Sequence, residues 1–194
     1  STLELSVITT LDDFEIQSVR DGKIKLAEFA KGDIINEDPI QETSVRKGTK
    51  VSFIPDEKLF GKYRFINEYV EKMMWNYCYL NPGLTIIFNG EKLHSENGLF
   101  DLLEQRLDTD ILYPIIHLHE NDIEVAITHC KNQYSEQYYS FVNGQHTVQG
   151  GTHQTAFRQA LVKTIREFYG KNYDASDIRQ SIYAAVSIKI IEPI

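Results

Sequence analysis

Residues 14–19 and 23–29 carry apolar side chains spaced for pleated strands, and they flank Arg20-Asp21-Gly22. Asp-Gly between two such runs predicts a tight hairpin, because the turn needs positive φ at its central positions. Residues 32–43 hold Asp, Asn and Pro with little periodicity and read as a loop or an irregular edge. A short strand over 50–54 should stop at Pro55-Asp56, whereas the pattern ahead of residue 14 places no element. Helical spacing is clearest over 64–80, where Ile66, Tyr69, Val70, Met73, Tyr77 and Leu80 form one apolar stripe. Asn81-Pro82-Gly83 should end that helix, since proline cannot continue it and glycine tolerates positive φ. A strand over 84–88, a turn at Asn89-Gly90, a return strand over 91–94 and a helix over 98–107 complete an α+β unit.

Asp108-Thr109-Asp110 is polar and lies between patterned segments, which predicts a domain boundary there. Beyond it, residues 115–118, 123–129 and 137–142 read as strands, and 143–151 as a loop bearing glycine and glutamine. Residues 155–169 give the strongest helix, with Phe157, Leu161, Ile165 and Phe168 on one face and Thr152 as its expected N-cap. A helical turn over 174–180 and an alternating strand over 182–191, ended by Pro193, make a second α+β unit. No internal repeat is present.

Composition narrows the class. With 194 residues, 42% hydrophobic and 25% charged, the chain is neither disordered nor low in complexity. No apolar run is long enough to span a bilayer, and Ser1-Thr2-Leu3-Glu4 lacks the basic and then apolar stretches of a secretory signal. Two cysteines, Cys78 and Cys130, exclude a disulfide framework and predict a reducing, cytoplasmic location. The net charge of -8 argues against tight DNA binding by bulk charge. That charge is uneven: residues 101–136 carry eight acidic side chains against Arg106 and Lys131. Residues 152–189 carry six basic ones (Arg158, Lys163, Arg166, Lys171, Arg179, Lys189) against Glu167, Asp174 and Asp177. Either block alone is most simply a solvated face.

Candidate chemistry is sparse. His117 and His119 would share one face of a strand, with His129 as a third nitrogen from its neighbour, but zinc needs convergence that spacing alone does not provide. Gly150-Gly151-Thr152-His153 opens a helix and could offer amides to an anion. It lacks both the Lys-Ser/Thr pair of a P-loop and a dinucleotide fingerprint, so a tight turn is the simpler account. Most of the eleven tyrosines fall on amphipathic faces and read as core. The residues alone thus describe two small α+β units with no self-contained active site.

Longer words carry a resemblance. Tyr139-Ser140-Phe141-Val142-Asn143-Gly144, followed by Gln149-Gly150-Gly151-Thr152-His153-Gln154-Thr155-Ala156-Phe157-Arg158, resembles the signature of the B subunits of bacterial type II DNA topoisomerases. These are the B subunits of DNA gyrase and of topoisomerase IV, and the likeness leans toward the latter. Asp177-Ile178-Arg179 with the strand from Ala184 to Lys189, the run from Gly48 to Asp56, and the turn Leu80-Asn81-Pro82-Gly83-Leu84 resemble further elements in family order. Gln180 and Ser181 depart from the family's usual Glu-Gly.

The resemblance implies an α+β chain spanning two domains. Residues 1–108 would be the later half of a GHKL (Bergerat) ATPase α/β sandwich. Residues 109–194 would be the transducer, with the fold of the second domain of ribosomal protein S5, cut before the family's Gln-Thr-Lys loop. ATP with Mg2+ would close a dimeric gate in the parent protein, an isomerase that drives one duplex through another. Its partners would be DNA, the A-type topoisomerase subunit and a second B subunit, with no membrane. Thr49 matches the threonine beside the adenine, where a hydroxyl can both donate and accept. Arg20 matches a pocket-edge arginine; Gly150, Gly151, Thr152 and His153 form the signature loop and helix start; Arg158, Lys163, Arg166 and Arg179 are candidate DNA-facing cations. No catalytic residue or metal ligand is expected among these residues. Rival readings are a MutL-like or Hsp90-like ATPase fragment, an acidic interaction domain, and a zinc hydrolase built on His117, His119 and His129. The 194-residue chain should therefore show no magnesium-dependent ATP turnover in a coupled assay, since the general base and phosphate-binding groups are expected elsewhere. Measurable turnover would contradict this.

Overall fold

A computed structural model describes residues 10–191, which fall into two compact units, Ser1–Phe65 and Ile66–Ile194. The first unit is a sheet in the order β3-β2-β1-β5, with β4 also pairing β2. Its strands are β1 (Leu11–Arg20), β2 (Lys23–Ala30), β3 (Asp33–Glu37), β4 (Gln41–Glu42) and β5 (Gly48–Pro55). Asp21 and Gly22 both take positive φ, 52° and 71°, so the β1–β2 hairpin turns where the sequence predicts. The segment read as a loop or irregular edge holds the short strands β3 and β4, and a register shift interrupts the β2–β3 pairing. After β5, Asp56 caps α1 (Glu57–Phe60) by accepting from the Lys58 amide at 2.7 Å. The weakly patterned segment before residue 14 becomes strand from Leu11 onward, and residues 1–9 lie outside the described part.

The second unit has three layers. Its central sheet runs β11-β10-β12-β9-β8, formed by β8 (Ile116–Glu120), β9 (Ile123–His129), β10 (Gln137–Val142), β11 (Gln145–His146) and β12 (Ile182–Ile188). All its pairings are antiparallel except β10 with β12, and a parallel pair needs a crossover. Helix α4 (Thr152–Tyr169), followed by the short α5 (Ala175–Arg179), supplies it. Alternate residues of β9 and β12 divide the core. Val125, Ile127, Ile182, Ala184 and Val186 meet Phe157 and Leu161 of α4 on one face. Ala126, Tyr183 and Ala185 meet α2 (Asn67–Leu80) and α3 (Leu99–Arg106) on the other. The hairpin of β6 (Thr85–Phe88) and β7 (Glu91–His94) turns at Asn89-Gly90, again with positive φ at both positions.

One expectation changes here. The stripe on α2 is not buried along its length: Tyr69 and Met73 are 65% and 54% exposed, whereas Cys78, Tyr79 and Leu80 are buried. Only the last turns of α2 meet the sheet, so its first turns have no core to face. The compact units do not divide at the polar turn Asp108–Asp110. It joins α3 to β8 within the second unit, because Leu99, Leu102 and Leu103 of α3 are fully buried in the same core as β9 and β12. The division between units falls at Phe65 and Ile66 instead.

The start of α3 is held by a dense set of side-chain bonds. Ser95 Oγ, the amides of Glu96 and Asn97, and Asn97 Nδ2 all donate to the Asp101 carboxylate. Buried Glu124 of β9 accepts from the Leu99 amide at 2.8 Å, placing a negative charge at the positive end of the helix. Between them Gly98 takes φ +58°, and a Cβ there would sit 2.5 Å from Glu124 Oε1 and 3.2 Å from the Tyr79 carbonyl oxygen. Gly98→Ala should therefore destabilise the second unit by about 2 kcal/mol, combining backbone strain with a displaced cap. Urea unfolding followed through Trp75, the chain's sole tryptophan, measures it. An unchanged midpoint would contradict this account of the corner.

Candidate functional site

In the first unit, Ser18 of β1 lies opposite Thr49 of β5, so their side chains share a face of the sheet. Arg20 is two residues beyond Ser18 and falls on that face too. The register thus makes Thr49 and Arg20 diagonal neighbours, both exposed, with Arg20 Nε 3.4 Å from Asp21 Oδ2. The same face continues away from Thr49 through Ile16 opposite Val51 and Phe14 opposite Phe53, with Phe14 packed edge-on against Phe29. An apolar floor bordered by a hydroxyl and a guanidinium is suited to a flat aromatic ring with polar edges.

In the second unit, the signature residues form the descent from β10 into α4. Asn143 and Gly144 turn β10 into β11 with positive φ at both positions. The Asn143 side chain accepts from the Ile190 amide and donates to the Ile190 carbonyl, both at 2.8 Å, tying this turn to the exit of β12. Buried Ser140 bonds Thr147 Oγ1 at 2.7 Å and Gln154 Oε1 at 3.1 Å, while Thr147 Oγ1 lies 3.3 Å from His153 Nε2. Burial lowers the His153 pKa, which keeps its imidazole neutral. Thr152 is not the N-cap: the helix begins at Thr152 itself and Gly151 occupies the cap, with no side-chain bond. The Thr147 hydroxyl and the His153 imidazole are thus engaged in bonds within the loop and to Ser140.

The four basic candidates divide into two pairs. Arg158 of α4 donates through Nε and Nη2 to the two carboxylate oxygens of Glu136, each at 2.8 Å. Arg179 of α5 donates to the same carboxylate at 3.1 Å, and the Tyr138 hydroxyl donates to it at 2.7 Å. The Arg158 guanidinium also lies 5.8 Å from the Tyr138 ring centroid. Lys163 and Arg166 stand apart from this cluster. Lys163 makes an exposed pair with Glu167 at 3.8 Å, and Arg166 donates to the Tyr173 carbonyl at 2.9 Å.

The histidines do not converge. His117 Nε2 is 2.9 Å from Glu124 Oε1, whereas His129 bonds the Tyr113 hydroxyl through Nδ1 and the Ile178 carbonyl through Nε2. Donation from Nε2 to a carbonyl leaves Nδ1 to accept from the phenol. Among the described residues no cluster of His, Cys, Asp or Glu is arranged to hold a metal ion, so the zinc-hydrolase reading fails. Cys78 and Cys130 are buried free thiols whose pKa values burial raises.

Residues 65–194 match the family described as DNA gyrase B, a stretch that contains the signature loop, its crossover helix and the whole second unit. The chain belongs to this family. It is 40% identical over 182 residues to the B subunit of DNA topoisomerase 4 from Borreliella burgdorferi, covering 93% of this chain and 30% of that protein. It is 31% identical over 209 residues to the B subunit of DNA gyrase from Campylobacter jejuni, covering 97% and 27%. The chain thus spans about a third or less of these two curated relatives. Its fold is that of the 43K ATPase domain of Thermus thermophilus gyrase B, solved with an aminocoumarin, at a TM-score of 0.80 and 24% identity over all of this chain and 59% of that one. The topoisomerase IV ATP-binding domain of Francisella tularensis gives 0.72 at 25% identity, over 97% and 57%. Family membership sets aside the MutL-like and Hsp90-like alternatives.

Glu136 has no signature in the sequence, because it is one acid among eight in an acidic stretch and nothing local marks it. Burial pushes its carboxyl pKa up, but the bonds from Arg158, Tyr138 and Arg179 outweigh that and hold it below the ordinary range. Burial, then the carboxylate beside it, pushes the Tyr138 phenol well up. A carboxyl with a depressed folded pKa contributes stability above its unfolded pKa, about 4.3, which is lost as pH falls through the lower folded value. The stability gap between the wild type and Glu136→Gln, read by urea unfolding, should therefore be full at pH 7 and close as pH falls below about 4. A gap that stays constant down to about pH 3 would show that ionised Glu136 adds nothing.

Proposed function

We propose that this chain is the ATPase-to-transducer section of the B subunit of a type II DNA topoisomerase, coupling ATP binding and hydrolysis to passage of one duplex through another. The family match across the second compact unit carries this reading. Residues 1–108 would close the ATPase domain, and residues 109–194 would be the transducer. Thr49 and Arg20 would border the adenine end of the nucleotide site, with the face lined by Ile16, Val51 and Phe53 beside them. ATP with Mg2+ would serve the parent protein, whose phosphate- and metal-binding groups we assign to other parts of the polypeptide. DNA, an A-type subunit and a second B subunit would be its partners, and the two free cysteines fit a cytoplasmic location. Within the family the higher identity to the topoisomerase 4 relative, 40% against 31% for the gyrase one, favours topoisomerase IV. Lys163 and Arg166 are the members of the basic set on α4 that Glu136 does not hold, and they would meet DNA first.

The parent protein, mixed with its A-type partner, should relax supercoiled plasmid only with ATP. Thr49→Ala in that protein should weaken ATP binding about tenfold, the loss of one hydrogen bond to a desolvated group. ATP-independent relaxation would overturn the coupling role, and unchanged ATP affinity would overturn the assignment of Thr49.

A further inference from the structure

Resting on the reading that α4 faces DNA, we infer that Glu136 is an internal stand-in for a DNA backbone phosphate and holds a latent phosphate site closed. Donors from three separate segments meet on its carboxylate: the Arg158 fork from α4, Arg179 from α5 and the Tyr138 hydroxyl from β10. A phosphodiester carries the same single negative charge and presents two terminal oxygens, so a guanidinium fork that grips one can grip the other. Two guanidinium groups meet on the Glu136 carboxylate, with Asp174 within electrostatic reach of Arg179, and an exchange of one monoanion for another leaves that balance unchanged.

The site is not sealed. The side chains of Arg158, Arg179 and Glu136 are 36%, 23% and 26% exposed, so solvent and ligand reach the donors. A cavity of about 290 Å³ adjoins the cluster, lined by Tyr134, Ser176 and Gln180 together with Glu136 and Asp177, and gives the carboxylate room to swing aside. Asp177 opposes an incoming phosphate. Opening therefore requires DNA already concentrated by Lys163 and Arg166, and the internal carboxylate makes the grip conditional on that engagement.

The test is binding of a short DNA duplex to the whole chain across a salt series. Glu136→Gln should bind at least about threefold more tightly, with a salt slope steeper by about 2, because two further cations would contact phosphates. Glu120→Gln, the same change of charge at the end of β8, should leave the slope unaltered. Adding Arg158→Ala and Arg179→Ala to Glu136→Gln should abolish the gain. In the wild type, the Nε–H resonances of Arg158 and Arg179 should shift as duplex is added, which decides the matter even where Glu136→Gln unfolds. An unchanged slope in folded Glu136→Gln, or a titration in which only Lys163 and Arg166 respond, overturns the phosphate stand-in and leaves the α4 reading intact. Duplex binding insensitive to Lys163→Ala with Arg166→Ala, yet strengthened by Glu136→Gln, overturns the first-contact role of α4 and leaves the stand-in intact. Absence of any duplex binding overturns both.

Discussion

Strands β10 and β12 lie side by side and run the same way, and parallel neighbours cannot be joined by a tight turn. The chain must leave the end of β10, cross the sheet and return to the start of β12. Helix α4 is that return, and the two ends of the crossover are where the polar chemistry collects. At the upper end, Asn143 binds the backbone at Ile190 and Ser140 gathers Thr147 and Gln154, so the departing loop is fixed to the strand it will rejoin. At the lower end, Glu136 stands just before β10 and is held by α4 and α5 at once. A displacement of α4 must therefore disturb bonds at both ends of the sheet.

The opposite face is held differently. There α3 is locked by two carboxylates, Asp101 within the helix and Glu124 from β9, and it buries Leu99, Leu102 and Leu103 over the sheet. On the other face, α4 packs Phe157 and Leu161 on the sheet and is also clipped to Glu136 through Arg158. Both faces bury apolar side chains, and the difference lies in exposure: the bonds to Glu136 on the α4 side are partly open to solvent, whereas Glu124 on the α3 side is buried.

Much of this is legible in the sequence because local chemistry decides it. Asp21-Gly22 and Asn89-Gly90 turn hairpins through their own φ preferences, and the α4 periodicity places Phe157 and Leu161 on the core, although Phe168 of the same stripe is exposed. The features that local pattern misplaces depend on partners distant in the chain. Tyr69 and Met73 have the spacing of a buried stripe, but both stay exposed on the first turns of α2. His117 and His129 have ligand chemistry, but Glu124 and Tyr113 satisfy them separately. For the site, the Gly-Gly-Thr-His words are visible, whereas the carboxylate that takes Arg158 and Arg179 is not, because a pairing across 22 and 43 residues leaves no periodic trace.

Under the proposed coupling role, nucleotide state at the first unit would be carried through the β10–α4–β12 crossover. Amide hydrogen exchange on the parent protein, with and without a non-hydrolysable ATP analogue, tests it most directly. Protection should rise at β5 around Thr49 and change together at residues 136–142 and along α4. Protection confined to β5, with exchange through α4 and β10 unaltered, would contradict the relay.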